Sequence, residues 1–236
     1  ADAVAVLSGS TIDAVLDAVA VAGADLFVGS LSVVAADVVA DALKKVAEAK
    51  PVIVSQGQVA GSGGYWISMY GDTIIAGPNT ITGSIGVIGG WVWDKGFTEK
   101  LGMTADYVKR GKHADYEFGV TLPLLGLTIP ARNLNDEELA RIEKWVRELY
   151  DDFITQVSEG RNMSKAKVDS IAQGRFYSGY DGQDAGLVDK IGGLMTAFAI
   201  AKEKAGIGAD EAYELVEIPK SYGLFDLLGQ APGVKT

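Results

Sequence analysis

Cysteine is absent from this 236-residue sequence, and histidine occurs once, at His113. Without thiols the chain can form neither disulfides nor thiolate metal sites, and a single imidazole cannot build a multi-histidine metal cluster. No metal centre is therefore expected. A Ser-His-Asp triad would have to use His113, because no second histidine is available.

Basic residues and long apolar runs are also scarce. Lysine and arginine number 21 against 31 aspartate and glutamate residues, which gives a net charge of −10. Such a balance disfavours nucleic acid as a partner, since that affinity rests on clustered basic side chains. A membrane span needs about 18–20 apolar residues in a row. The longest apolar region, residues 14–28, is interrupted by Asp17 and Asp25, so any membrane anchor is expected outside this chain.

The remaining composition is typical of a globular protein, with 48% hydrophobic and 22% charged residues. No segment has the composition of a long linker, which favours one domain over two. We expect that domain to cover residues 1–218 and to be followed by a loose C-terminal tail at 219–236.

Short apolar runs alternate with helical patterns along the chain. Strands are predicted at residues 3–7, 25–29, 52–54, 73–76, 83–92, 104–110, 175–177 and 213–218. Helices are predicted at residues 11–22, 33–50, 65–70, 135–160, 164–171 and 194–204, and residues 111–134 are expected to be irregular. Asn135 and Glu138 form a capping-box pattern, and Ser164 is a helix-cap candidate. The alternation predicts an α/β fold with helices packed on sheet.

Ser62 lies between glycines, after a predicted buried strand and before a predicted helix. Glycines at positions 61, 63 and 64 permit a tight turn and a close approach of a substrate backbone. Free N–H groups at the start of a helix favour developing negative charge, and the Gly63 N–H could donate to an oxyanion. A plain strand-to-helix turn capped by Ser62 has the same local pattern and stays open here.

Ser84 lies in a second glycine-rich run, at residues 80–90. Glycines within a strand-like run indicate that another backbone or a ligand approaches closely. The Ser84 hydroxyl could hydrogen-bond a catalytic group. Alternatively it is a polar residue in a turn, since serine often fills turns.

Together the two runs form a longer pattern. Residues 61–68 read Gly-Ser-Gly-Gly-Tyr-Trp-Ile-Ser, and residues 77–87 read Gly-Pro-Asn-Thr-Ile-Thr-Gly-Ser-Ile-Gly-Val. This pattern resembles the signature of the signal peptide peptidase A (protease IV) family. Similar matches follow at 132–138, 160–164, 174–179 and 185–193, so the resemblance covers about residues 32–205.

The resemblance implies a fold and a site. The family's fold is the ClpP/crotonase type, built from stacked ββα units. Its nucleophile corresponds to Ser62, and the serine that holds its lysine base corresponds to Ser84, 84 − 62 = 22 residues further on. The Ser/Lys mechanism requires no cofactor. Ser62 would attack a peptide carbonyl after losing its proton to a neutral lysine, and Gly63 would bind the oxyanion.

The lysine base is missing from its expected place. The family carries it in a Gly-x-x-Lys-Asp segment, where this chain has Ala114 between His113 and Asp115. Lys112 is two residues away, which displaces it by roughly 6–7 Å in an extended segment. The base in this chain is therefore unknown. In double-length family members the serine lies in the C-terminal half and the lysine in the N-terminal half, and this chain resembles that C-terminal half. An engineered change or a natural pseudoenzyme would give the same sequence.

A second departure concerns the oxyanion site. The family has Ser-Pro-Gly-Gly in the loop after the second strand, whereas residues 28–32 here read Val-Gly-Ser-Leu-Ser. A backbone N–H survives such a change, but its approach angle need not.

The resemblance implies a serine endopeptidase that degrades cleaved signal peptides and other short apolar peptides, with its lysine supplied by another half or subunit, or mutated. It also implies membrane association on the extracytoplasmic side. The alternatives are a non-catalytic scaffold of the same fold, an acyl-CoA hydratase or hydrolase, and a Ser-His protease that uses His113. The second is disfavoured because no carboxylate lies between Lys50 and Asp72. The third is disfavoured because His113 falls in the segment expected to be irregular.

A serine without a base predicts a homo-oligomer or a pairing with a homologous N-terminal half. Four large aromatic side chains near the site could line such an interface or belong to the core. They are Trp66, Trp91, Trp93 and Phe97.

Overall fold

The computed structural model describes residues 5–8, 30–102, 106–122, 127–208 and 211. Within these ranges strands are β1 (Ala5–Ser8), β2 (Val52–Gln56), β3 (Val59–Gly61), β4 (Thr73–Ala76), β5 (Ile81–Gly83), β6 (Gly119–Leu122), β7 (Leu127–Pro130), β8 (Phe176–Tyr177) and β9 (Lys190–Ile191). Helices are α1 (Ser30–Ala49), α2 (Gly63–Ser68), α3 (Phe97–Lys100), α4 (Asp136–Gly160), α5 (Lys165–Ile171), α6 (Gly179–Asp184) and α7 (Leu194–Lys204).

The central sheet is parallel, with the strand order β1-β2-β4-β9. Its middle strands β2 and β4 are buried along their full length. Strands covered on both faces read as continuous apolar runs, as Val52-Ile53-Val54 and Ile74-Ile75-Ala76 do.

Helices cover both faces of this sheet. Val52, Val54 and Ile74 belong to a large apolar cluster with side chains of α1, α2 and α4. Ile53 and Ile75 point to the opposite face, where they pack with Ala197, Ile200 and Ala201 of α7. The alternation of contacts along β2 follows from the two-residue period of a strand.

The largest aromatic contact in the main core joins α2 to α4. The rings of Trp66 and Phe153 stack with their centroids 4.2 Å apart, and the two side chains are 2% and 1% exposed. This contact holds the short helix after Ser62 against the longest helix of the described chain.

A smaller sheet has the order β3-β5-β8, with β3 and β5 parallel and β8 antiparallel to β5. The strands β6 and β7 form a separate antiparallel pair. Along the sequence, residues 84–118, which include α3, lie between β5 of the small sheet and β6 of this pair.

The predicted α/β class with helices packed on sheet is confirmed. The capping box at the start of α4 is present, since Asn135 Oδ1 accepts from the Glu138 N–H and Glu138 Oε2 accepts from the Asn135 N–H. Ser164 caps α5 as predicted.

Three predictions are wrong. Residues 84–92 are not a strand, because the pairing of β5 ends at Gly83. Residues 106–110 contain no strand either. The segment 111–134, expected to be irregular, contains the β6–β7 pair. The helix predicted at 11–22, the strands predicted at 25–29 and 213–218, the domain boundary at 218 and the tail at 219–236 lie outside the described residues.

Candidate active site

The parallel pairing of β3 with β5 places Ser62 and Ser84 beside each other. Gly61 is the register partner of Gly83, and each serine follows its glycine directly. The Ser62 N–H donates to the Gly83 carbonyl at 2.9 Å, which extends the pairing one step past the strands. Since neighbouring strands lie about 4.8 Å apart, the two serines occupy adjacent positions at one edge of the small sheet.

Both serines have positive φ angles. Ser62 has φ 54° and Ser84 has φ 48°, values that are uncommon for residues other than glycine. The Ser84 N–H donates to the Arg175 carbonyl at 2.8 Å, so β8 holds the second serine as β5 holds the first. Strained conformations of this kind persist where the surrounding structure imposes them, and they concentrate at functional sites.

The Ser62 side chain is exposed and does not cap α2. No hydrogen bond joins its hydroxyl to another of the described residues. The Trp66 N–H donates instead to the Ser62 carbonyl at 2.9 Å, which begins the helix through the backbone alone. The simple capping interpretation therefore does not account for Ser62, whose hydroxyl remains available for chemistry.

Gly61 lets the Ser84 side chain approach the β3 backbone. A Cβ atom at position 61 would lie 3.1 Å from Ser84 Cβ and 4.0 Å from Ser84 Oγ. A contact of 3.1 Å between two carbon atoms is closer than the usual 3.5–4.0 Å. Packing therefore disfavours any larger residue here, a reason for glycine in addition to the turn and the substrate approach expected from the sequence.

Lys112 is unsuited to replace the missing base. Its side chain is 73% exposed and forms an ion pair with Glu137. A lysine becomes a neutral base near neutral pH only when burial or nearby positive charge disfavours its ammonium form. Ala114, two residues further on, is exposed in the same turn.

His113 is held at the start of α4, away from any described contact with Ser62. Its Nδ1 lies 2.8 Å from Glu138 Oε1, and its Nε2 lies 3.4 Å from Glu137 Oε1. Because no hydrogen bond of the described residues joins this imidazole to a serine hydroxyl, the geometry does not support the Ser-His alternative.

Arg132 joins the turn that carries Ala114 to the first turn of α4, a cluster that sequence reasoning missed. Its guanidinium donates to both carboxylate oxygens of Asp115, at 3.3 and 2.9 Å, and to both of Glu138, at 2.8 Å each. The hydrogen bonds from Arg132 hold the pKa of Asp115 and of Glu138 well below their usual range, with Lys109 adding to the effect on Asp115. Both carboxylates are buried, so they depend on these partners.

The four aromatic side chains near the site differ in burial. Trp66 belongs to the core, whereas Trp91 and Trp93 are half-buried and Phe97 is 63% exposed. Trp91 stacks on Tyr116 with a centroid distance of 5.9 Å. Burial therefore assigns Trp66 to the core, and an interface stays a prediction for Phe97, Trp91 and Trp93.

A cleft of about 570 Å³ begins three residues beyond Ser84. One wall is the segment 87–91, and the other is the N-terminal half of α4.

Among the described residues no helix combines the length and the apolar character that a membrane crossing requires.

The chain is similar to several known proteases. The chain is 38% identical over 195 residues to "Serine protease SPPA, chloroplastic" of Arabidopsis thaliana, a match covering 82% of this chain and 27% of that protein. It is 38% identical over 165 residues to "Protease 4" of Haemophilus influenzae, covering 70% of this chain and 25% of that protein. The chain thus spans about a quarter of the length of these two relatives.

Two solved structures resemble the chain more distantly. A point mutant of ClpP1 from Listeria monocytogenes matches with a TM-score of 0.41 and 13% identity, covering 70% of this chain and 69% of that one. An enoyl-CoA hydratase/isomerase family protein of Hyphomonas neptunium matches with a TM-score of 0.34 and 17% identity, covering 71% and 41%.

A family model provides the assignment. It matches residues 44–208, which contain both serines, the Arg132 cluster and all of α4. The family resemblance found in the sequence is thereby confirmed, and the chain belongs to peptidase family S49.

Proposed function

We propose that this chain is the nucleophile-bearing part of a Ser/Lys endopeptidase, with Ser62 as nucleophile and Ser84 as the residue that orients the lysine base. The observation that carries the proposal is the register of β3 with β5, which sets two strained serines side by side. The lysine itself comes from another half of a longer protein or from another subunit.

In the proposed reaction a neutral lysine removes the proton from Ser62 Oγ as the oxygen attacks the carbonyl carbon of a peptide bond. The Gly63 N–H donates to the resulting oxyanion, since the first N–H groups of a helix have no partner within it. Collapse of the tetrahedral intermediate breaks the C–N bond. The lysine ammonium gives its proton to the departing amine, and water then hydrolyses the acyl-enzyme with the lysine again acting as base.

The described residues support a base from outside the chain. Ala114 has no titratable group, Lys112 is exposed and paired with Glu137, and Lys109 is paired with Asp115 at 2.7 Å. Both lysines are thus held by carboxylates, and neither has a hydrogen bond to Ser62 among the described residues.

The proposed substrates are cleaved signal peptides and other short or unfolded apolar segments. The relatives that bear on this proposal are named as proteases, one of them chloroplastic. We place the site on the extracytoplasmic side of a membrane, with any anchor outside this chain, and we expect assembly as a homo-oligomer or with a homologous N-terminal half.

The nucleophile is tested with a fluorophosphonate probe under conditions in which a base is available. Ser62→Ala is expected to abolish labelling, because the Ser62 Oγ is the atom that forms the bond to the phosphorus of the probe. Ser68→Ala is a matched control, since that hydroxyl is buried and donates to the Gly64 carbonyl at 2.7 Å. Labelling that survives Ser62→Ala would assign the nucleophile elsewhere.

The second candidate is a non-catalytic scaffold of the same fold, which Ala114 favours. A scaffold needs no strained serine, so Ser62→Ala would leave its partner binding unchanged and the probe would label nothing in any assembled form. The acyl-CoA alternative has no such observation in its favour, and the family match is to peptidases.

A further inference from the structure

The cleft beyond Ser84 has the size and lining of a binding site. At about 570 Å³ it falls within the 300–1,000 Å³ typical of ligand pockets. Its walls are mostly apolar, with Val87 and Trp91 on one side and Ile142, Trp145, Val146 and Leu149 of α4 on the other. Trp145 is 45% exposed there although it is one of the largest apolar side chains in the chain.

Trp91 presents an unused hydrogen-bond donor at this cleft. Its indole Nε1 is buried and has no partner among the described residues. A buried donor without an acceptor costs free energy, and stacking on Tyr116 fixes the ring that carries it. A ligand acceptor that reached this atom would remove that cost.

The position of the cleft connects it with the two serines. Val87 is three residues from Ser84, so the backbone between them spans at most about 11 Å. Adding the roughly 4.8 Å between neighbouring strands places the near end of the cleft at most about 16 Å from Ser62. An extended peptide substrate has the same length per residue as an extended stretch of the protein backbone. A peptide whose scissile bond lies at Ser62 would therefore reach the cleft within about five residues of that bond.

We propose that this cleft binds an apolar side chain of the substrate within about five residues of the scissile bond, with Trp145 and Ile142 as specificity-determining residues. The proposal rests on the proposed peptidase function. It assigns to α4 a part in substrate selection in addition to its part in the core.

The test measures binding rather than turnover. Two blocked, dye-labelled, alanine-rich octapeptides are compared, one with a single leucine near one end and one with serine in its place. Fluorescence anisotropy gives their affinities for the chain carrying Ser62→Ala, which cannot hydrolyse them. The leucine peptide is expected to bind about tenfold more tightly, the factor typical of one buried anchor side chain.

Two variants change the cleft in opposite ways. Trp145→Ala removes one wall. Gly89→Leu narrows the cleft, because a Cβ at position 89 would point towards Val146 Cγ2, 3.4 Å away. Each should lower the affinity for the leucine peptide about tenfold and remove its advantage over the serine peptide. Gly193→Leu is the control, since a Cβ there would meet nothing within 4 Å.

The outcomes separate this proposal from the peptidase assignment. If Ser62 is labelled but both cleft variants keep the full preference for leucine, the cleft is not a substrate site. The proposal also fails if neither peptide binds at millimolar concentration, or if the variants alter only the sedimentation of the protein, which would make the cleft an interface between copies. A cleft-dependent preference in a chain whose Ser62 is never labelled would instead sink the peptidase function and leave a peptide-binding scaffold.

Discussion

The two serines of the site owe their positions to the glycines before them. Gly61 and Gly83 are register partners, and Ser84 packs where a side chain at position 61 would otherwise stand. Small displacements of catalytic groups have large kinetic effects, because the reacting atoms must lie within a few tenths of an ångström of the productive geometry. Gly61 is therefore a sensitive position although it has no functional group.

Replacing this glycine gives a direct test of the paired geometry. Gly61→Ala is expected to slow the labelling of Ser62 by roughly tenfold, because the new methyl group pushes Ser84 away. Gly193→Ala is the control, since a Cβ there would meet nothing within 4 Å. Equal rates for the two variants, in proteins of equal thermal stability, would show that Ser84 does not need its observed position.

The sequence identified the candidate site residues but did not predict their geometry. Their glycine-rich surroundings are local and can be read from the sequence. The positive φ of Ser62 and of Ser84 could not be predicted, because serine has no intrinsic preference for that region and only long-range pairing with β5 and β8 imposes it.

Helix α4 is fixed at its first turn by charge and further along by apolar packing. Glu138 completes the capping box and also accepts from Arg132, which in turn holds Asp115 in the preceding turn. Phe153 packs against Trp66 more than three turns later. The turn that carries Ala114 is therefore clamped to the helix that also forms one wall of the cleft.

This clamp predicts a pH-dependent loss of stability. The pKa values of Asp115 and Glu138 are depressed in the folded chain, so their contribution is present above their unfolded pKa values and is lost as the pH falls through the folded ones. Arg132→Met is expected to lower the midpoint of thermal unfolding by several degrees at pH 7. The difference from the unmodified chain should narrow below about pH 4, where unfolded carboxyls become protonated.

Arg141→Met provides the control for this measurement. Arg141 is 69% exposed and pairs with Glu137 at an i, i+4 spacing, an arrangement that contributes little to stability. The midpoint of thermal unfolding of Arg132→Met could instead lie below that of the unmodified chain by the same amount from pH 3 to pH 7. That result would mean that the guanidinium stabilises the turn by packing rather than by its charge.

The helices were easier to predict than the strands for physical reasons. The bounds of α4 follow from a capping box and a helical period that are both local in sequence. The apolar run after Gly83 has the composition of a strand, but its backbone hydrogen bonds with the residues that precede β8 extend only to Ile85 in the described chain. The β6–β7 pair was missed because its strands have only four residues each, and the prolines at 123 and 130 argued against strands.

At the level of assembly, the missing base predicts how the labelling rate of Ser62 depends on the concentration of the chain. If the lysine comes from a second copy, the rate at which Ser62 is labelled per mole of chain should rise with concentration and level off where association is complete. Sedimentation over the same micromolar range should show the 24.8 kDa chain converting to a larger closed species. A stable monomer with a concentration-independent rate would require a base within the chain.

Ala114→Lys gives the complementary test of that prediction. Restoring a lysine at the position that the family resemblance indicates should raise the labelling rate by orders of magnitude, since removing a triad-type base costs about 10⁴–10⁶. Ala131→Lys, at another exposed alanine, is the control and should leave the rate unchanged. Equal rates for both variants would show that the exposed turn at 111–117 does not reach Ser62.

The pairing that aligns the two serines also couples chemistry to folding. β3 and β5 have three residues each, too few to persist as an isolated pair in water. Their alignment depends on the core that Trp66 and Phe153 close behind them. In an unfolded chain the hydroxyls of Ser62 and Ser84 would be no more reactive than those of other serines. Only the folded chain would hold Ser62 in the geometry that the reaction needs. Covalent titration of Ser62 in the presence of a base would thus count correctly folded molecules, and the yield of a refolding reaction could be read from it directly.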